Sequence, residues 1–185
     1  PDYSSAASDV YKRQPEDRWL LAEFQQTMHT VKEAWSNLDI YTATQALKTF
    51  GTGLLPSHYL EMVKSRLYDD DGAAAWTLHR TVRDFMAAFS PVCPFFTHHI
   101  SSTVYGSSAV DVDAFPAPAL GEVDHGTEEG ARLCALSHDL QEFNGQTWAA
   151  KKEQGISLNQ PIEGVAVPEE LAEFEATLTR MHQLS

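Results

Sequence analysis

Leu21, Phe24, Met28, Val31, Trp35 and Leu38 follow one another at steps of three and four residues. That period places them on one stripe of an α-helix and is incompatible with a strand, whose faces alternate at every second residue. An apolar stripe must be covered, so the chain is committed to helix-on-helix packing from its first regular element. The pattern then recurs. Ala43, Ala46, Leu47, Phe50 and Leu54 give the inner face of a second helix, which Gly51, Gly53 and Pro56 should kink or break before Tyr59, Val63 and Leu67 resume the stripe. The turn from Asp69 to Gly72 leads into a third helix through Ala75, Leu78, Val82, Phe85 and Phe89. Residues 90–94 end it, and Pro94 opens a short fourth, since its missing N–H costs nothing in a first turn. The fold class expected is mainly α: an antiparallel helical bundle over residues 15–105 with short connections.

The flanking segments read differently. Residues 1–14 have no periodicity and no initiating Met, and resemble a translated adapter scar; they are expected to be a non-native or disordered leader, with further protein upstream. Residues 106–126, rich in Gly, Ser, Pro and Asp, read as a linker around a short strand at Val110–Val112. Residues 127–185 are expected to form a small α+β module. It would comprise a helix of roughly Glu128–Glu153 burying Leu133, Leu136, Leu140 and Phe143, short strands at Ile156–Leu158 and Val165–Val167, and a last helix. Pro168-Glu-Glu-Leu171 starts that helix, with Leu171, Phe174, Leu178 and Met181 as its stripe.

Catalytic signatures are missing. There is no GxGxxG, P-loop or GxSxG elbow. His98 and His99 are adjacent, so they point to different sides of a helix and read as one buried and one solvated residue rather than a metal pair. Ser57-His58 and Ser137-His138 are chance dipeptides, because a triad is assembled from distant positions. Asp69–Asp71 lacks the alternating ligands of a calcium loop and reads as a solvated turn. Asp111 and Asp113 read as exposed charge. Trp19, Trp35, Trp76 and Trp148 fit core positions better than stacking platforms. Cys93 and Cys134 are too few for a disulfide framework and read as buried thiols in a reducing compartment, with no membrane span in the chain.

Charge constrains partners. The formal net charge is -13, with 26 acidic residues against 13 basic. Residues 1–105 are close to balanced at -3, whereas residues 106–185 carry -10. Nucleic-acid binders are usually basic, so any RNA contact must use a local patch. The sparse cations are Arg18, Lys48, Lys64, Arg66, Arg80, Arg83, Lys151 and Lys152. Lys64, Arg66, Lys151 and Lys152 fall at helix ends, where the macrodipole favours a cation anyway; capping and phosphate contact both remain open for them.

Several of these segments resemble a known family. DRWLLAEFQQTM at Asp17–Met28, SHYLEMVKSRLY at Ser57–Tyr68 and TLHRTVRDFMAAFSPVCPFFTHHI at Thr77–Ile100 are similar to the anticodon-binding bundle of class I aminoacyl-tRNA synthetases for valine, isoleucine and leucine. Pro91-Val-Cys-Pro94-Phe95 fits that family's Pro-x-x-Pro-Phe turn, and SSAVDVDAFP at Ser107–Pro116 its short stretch ending in an aromatic-Pro. The tail FNGQTWAAKKEQGISLNQPIEGVAVPEELAEFEATLTRMHQ, Phe143–Gln183, resembles the C-terminal module of archaeal-type valyl-tRNA synthetases. Two features depart from the pattern. Gly51–Pro56 stands where many relatives continue an acidic, aromatic helix, and the HIGH and KMSKS signatures are absent.

The resemblance implies a tRNA-binding, non-catalytic part of a cytoplasmic ligase that joins valine to its tRNA. ATP and magnesium would serve the parent enzyme, and no cofactor this segment. The partners implied are valine-specific tRNA and the remainder of the ligase. Lys64 and Arg66 are the first candidates for tRNA contact, then Lys48, Arg80 and Arg83, with Lys151 and Lys152 on the tail. Two alternatives stand beside this reading: the bundle of an isoleucyl or leucyl enzyme, and a free-standing helical interaction protein with no RNA role.

Overall fold

The computed structural model describes residues 13–106 and 126–185. The expected leader up to residue 12, the linker with its Val110–Val112 strand, and Asp111 and Asp113 lie outside the described residues. Arg13 and Gln14, expected outside the fold, take part in it. Gln14 caps the first helix, its backbone N–H donating to Asp17 Oδ2 at 3.1 Å, and the Arg13 guanidinium stacks 4.1 Å over the Trp76 ring.

Helix α1 runs Pro15–Ser36 and α2 Ile40–Thr49. Leu38, expected on the buried stripe of α1, lies past its end, with φ of 58° and 84% of its surface exposed. The chain reverses within three residues there, and Asp39 caps α2 by accepting from the Thr42 N–H at 3.0 Å. The expected kink or break after α2 is instead a wide π-helical segment, Phe50–Tyr59, which passes without interruption into α3, Leu60–Tyr68. Pro56, inside this segment, has no N–H to give an α-type ladder, and the Leu60 N–H bonds the Leu55 carbonyl five residues back. Gly51 has a packing reason: a Cβ there would stand 2.5 Å from Phe85 Cζ.

Asp71 starts α4, Gly72–Phe89, accepting from the N–H groups of Ala73 and Ala74 at 2.8 and 3.1 Å. Helix α5, Pro94–Tyr105, returns along α4 and meets it where the Tyr105 ring stands edge-on to His79. His98 and His99 both lie at the surface, correcting the expected buried–solvated pair, because the inner face of α5 is taken by Thr97 and Ser101.

The expected helix over 128–153 is two helices, α6 Glu128–Ala135 and α7 Ser137–Glu153. They join at Leu136, beside Ser137, whose Oγ accepts from Trp19 Nε1 of α1 at 2.6 Å and bonds Glu23. The expected strands at Ile156–Leu158 and Val165–Val167 are not formed. The Lys151 ammonium donates to the carbonyls of Leu158 and Gln160, at 2.8 and 2.7 Å, and holds the first of these runs back against the end of α7. Among the described residues β-pairing is confined to a parallel bridge between Ile162 and Leu184. The last helix begins as a 3-10 turn, Glu169–Phe174, and becomes α8, Glu175–His182.

One core joins these parts. Trp19, Phe24 and Val31 of α1 pack with Leu47, Phe50, Tyr59 and Val63, and the same cluster takes in Leu133, Leu140, Phe174 and Leu178 of the C-terminal helices. Trp19 is fully buried, while Trp35, Trp76 and Trp148 are only partly so. Cys93 and Cys134 are unpaired and half-buried, and burial beside Glu23 pushes the Cys134 thiol up to about 12. No described helix is long and apolar enough to cross a membrane.

Candidate nucleic-acid interface

A chain this acidic must use its few cations economically, and the structure divides them into two kinds. Arg66, on the last turn of α3, is buried. Its Nη1 donates to Glu16 Oε1 and its Nη2 to Asp17 Oδ2, both at 2.7 Å, while Nε donates to Asp71 Oδ2 at 2.9 Å. Tyr59 and Thr177 complete the network through hydrogen bonds of 2.8 Å to Asp17 and 2.9 Å to Glu16. Burial alone would weaken the guanidinium charge, but the Asp17 hydrogen bond and the surrounding carboxylates outweigh it and raise the Arg66 pKa. Arg66 thus holds α1, α3, the α4 cap and α8 together, and its nitrogens are spent on carboxylates rather than offered to phosphate.

Lys151 is likewise withdrawn. It is fully buried, burial depresses its pKa, and it braces the loop after α7 through the two carbonyl contacts described above. Of the two tail candidates, Lys151 lies inside and Lys152 at the surface, since neighbouring residues on a helix point to different sides.

The remaining candidates are at the surface. Lys64 lies 3.5 Å from Glu61 one turn back, and Arg80 donates to Asp84 at 2.7 Å. Lys48, Arg83 and Lys152 are exposed. These five cations are spread over α2, α3, α4 and α7. Arg18 is used to tie α1 to Glu129 of α6, and Arg132 of α6 clasps Glu173 of the 3-10 turn. Lys152 borders an open groove of about 630 Å³ with Trp148, Ile156 and Leu158.

A second groove, about 480 Å³, runs between α1 and the α2–π rod and was not foreseen from the sequence. Gln26, Thr27 and Thr30 line one wall, and Tyr41, Gln45 and Thr49 the other. Gly53 opens its floor, where an added Cβ would meet nothing within 4 Å. The signal was present as two uncharged polar stripes at i, i+4 spacing, Gln26–Thr30 and Gln45–Thr49, on helices that a short turn makes neighbours. For a metal, the described residues offer His138, Asp139 and Glu142, with ligand atoms within 4.8 Å of one another; all three are exposed.

Comparison with known proteins gives this geometry a setting. The family described as the anticodon-binding domain of tRNA ligase matches residues 17–167. The valine–tRNA ligase of Saccharolobus solfataricus is 30% identical over 147 residues, covering 79% of this chain and 17% of that protein. The valine–tRNA ligase of Pyrobaculum aerophilum is 32% identical over 180 residues, covering 92% of this chain and 22% of the relative. That of Aeropyrum pernix is 30% identical over 168 residues, covering 86% and 20% respectively. This chain therefore spans between 17% and 22% of the length of these relatives.

Proposed function

Because this chain belongs to the anticodon-binding domain family of tRNA ligases, we propose that it recognises the anticodon side of valine tRNA on behalf of a valine–tRNA ligase. The observation that carries the reading is the reach of the similarity. Alignment with the valine enzyme of Pyrobaculum covers 92% of this chain, reaching well beyond the bundle over residues 15–105. The parent activity would join valine to its tRNA with ATP and magnesium, in the cytoplasm. The present segment would contribute grip and discrimination, and no chemistry.

Physically, the exposed cations suit a backbone role. Lys48, Lys64, Arg83 and Lys152, with Arg80 beside Asp84, would meet phosphates as separate points rather than as a patch, which suits a bent RNA loop. A module of this charge would bind RNA weakly by electrostatics alone, so discrimination must come from contacts with bases.

The test is binding of the full chain to valine tRNA at low salt, beside the same tRNA with its anticodon replaced. Tighter binding of the natural anticodon is expected. Equal binding would remove the anticodon-reading role. A second reading, a helical interaction module without RNA contact, is favoured by the net charge of -13 and by Phe95, 91% exposed at the start of α5; it predicts binding of neither RNA.

A further inference from the structure

Among the described residues, the groove between α1 and the α2–π rod has no lysine or arginine on its walls and a single carboxylate, Glu23. Burial raises the Glu23 pKa, and Ser137 hydrogen-bonds it from the side of α7, so its charge is turned toward the core junction. What remains is amide, hydroxyl and aromatic ring over an apolar base of Ala46, Phe50 and Leu54. Gln26, Gln45 and Gln141 each carry both a donor and an acceptor into the groove. The Thr27 and Thr30 hydroxyls donate back to the carbonyls of Glu23 and Gln26, at 2.9 and 3.1 Å, which leaves their oxygens as acceptors. Tyr41, 75% exposed at the rim, presents a flat ring to solvent.

We infer that this groove takes an unpaired nucleobase of the RNA, an inference that rests on the RNA-binding reading above and gives that reading its base-specific site. A phosphate would find no cation here, whereas the edge of a base needs paired donors and acceptors at fixed positions, and its face needs a ring to stack on. Side-chain amides supply the first and Tyr41 the second. The volume of about 480 Å³ falls within the range of roughly 300–1,000 Å³ usual for small-ligand sites. The π-helical turn forms the floor of the groove. Its widened backbone at Gly53, with no side chain above it, lets a planar ring approach the main chain, and such irregular turns recur at binding sites. Lys48, in the last turn of α2, stands on the same rod to meet the adjoining phosphate.

The experiment uses the full chain with a stem–loop RNA carrying a valine anticodon and the same stem–loop with its anticodon bases replaced. Gly53→Leu fills the floor without touching the core, and Gln45→Ala removes one amide; thermal melting checks that each variant folds. Wild type is expected to prefer the natural loop, and both variants to bring that preference to within twofold of unity while retaining binding to the replaced loop. Preference unchanged in both folded variants would overturn the groove while leaving the RNA reading intact. Wild-type binding to both loops without preference, or to neither, would overturn both readings, and in the second case the groove would be left to a protein partner. A photo-crosslink from a thio-substituted anticodon base is expected on α1 or α2; one on α5 would also overturn the assignment.

Discussion

Arg66 and Asp17 form a buried ion pair in which the guanidinium Nη2 lies 2.7 Å from one carboxylate oxygen, while the Tyr59 hydroxyl donates to the other at 2.8 Å. Desolvation is repaid only because every nitrogen of Arg66 has a carboxylate partner. Removing the cation strands Glu16 and Asp17, both fully buried, at the start of α1. Arg66→Met is therefore expected to cost about 3–5 kcal/mol, read as a lowered urea midpoint. Lys64→Met, two residues away and exposed, should stay within about 0.5 kcal/mol. Equal effects would mean that the network does not carry the junction of α1, α3 and α8.

A second buried polar relay sets an acid limit. His182 Nε2 lies 2.7 Å from Asn144 Oδ1, and Asn144 Nδ2 lies 3.1 Å from His58 Nδ1. The Asn144 amide donates to His58 Nδ1, which fixes that ring as neutral, and its oxygen accepts from His182 Nε2. Burial, with the Lys151 charge adding to it, lowers His182 from about 6.5 to about 4; burial also lowers His58. Between those values the unfolded chain binds a proton that the folded chain refuses. Stability is thus complete above about pH 6.5 and lost as pH falls toward 4. Urea midpoints from pH 7.5 to 4.5 should decline for wild type and decline less for His182→Gln. Parallel curves would clear the histidine. Asp71 and Glu129, whose pKa values are lowered by their arginine partners and hydrogen bonds, add their losses from the acid end of this window downward.

Gly51 and Gly53, two residues apart, are expected to respond oppositely to alanine. At Gly51 the new methyl would strike the Phe85 ring, which packs with Phe50 at 6.0 Å and Phe89 at 5.5 Å, so Gly51→Ala should cost about 1–3 kcal/mol. At Gly53 the methyl enters open groove, and the gain in helix propensity should leave stability equal or higher by up to about 1 kcal/mol. Melting temperatures of the two variants decide it.

These residues also mark what the sequence could reveal. Period-3.6 stripes identified α1, α2, α4 and the tail helices because nearly every apolar position there meets a core neighbour, Ala75 yielding its place to Ala74. Leu38 continued the period but not the helix, since Asp39 was already needed as the next cap. Gly51, Gly53 and Pro56 read alike as breakers, while only packing against Phe85 distinguishes the first of them. The Ile156–Leu158 and Val165–Val167 runs carry β-type composition, but Lys151 holds the first against the end of α7, and among the described residues neither run has a strand partner. For the site, type and position were legible and burial was not. Arg66 and Lys151 look like their exposed neighbours until tertiary contacts place them inside. The groove between α1 and α2 escaped notice because glutamine and threonine stripes carry neither hydrophobic nor charge signal.

The adjacent pair Lys151 and Lys152 offers the sharpest separation of a structural cation from one proposed to contact RNA. Lys151 is fully buried and donates to the Leu158 and Gln160 carbonyls, so Lys151→Ala removes two charge-assisted bonds and frees the loop that carries Ile162 to its bridge with Leu184. A cost of about 2–4 kcal/mol is expected, with faster proteolysis after α7. Lys152 points to solvent beside Trp148, and its alanine variant should leave stability within about 0.5 kcal/mol. Its effect should appear instead in RNA binding, as a loss of about one counterion from the slope of log affinity against log salt, equal for natural and replaced anticodons. A Lys152→Ala variant with an unchanged slope would take the C-terminal helices off the RNA-binding surface. A change that depended on the anticodon would instead put base reading at Trp148, against its assignment to the groove over Gly53.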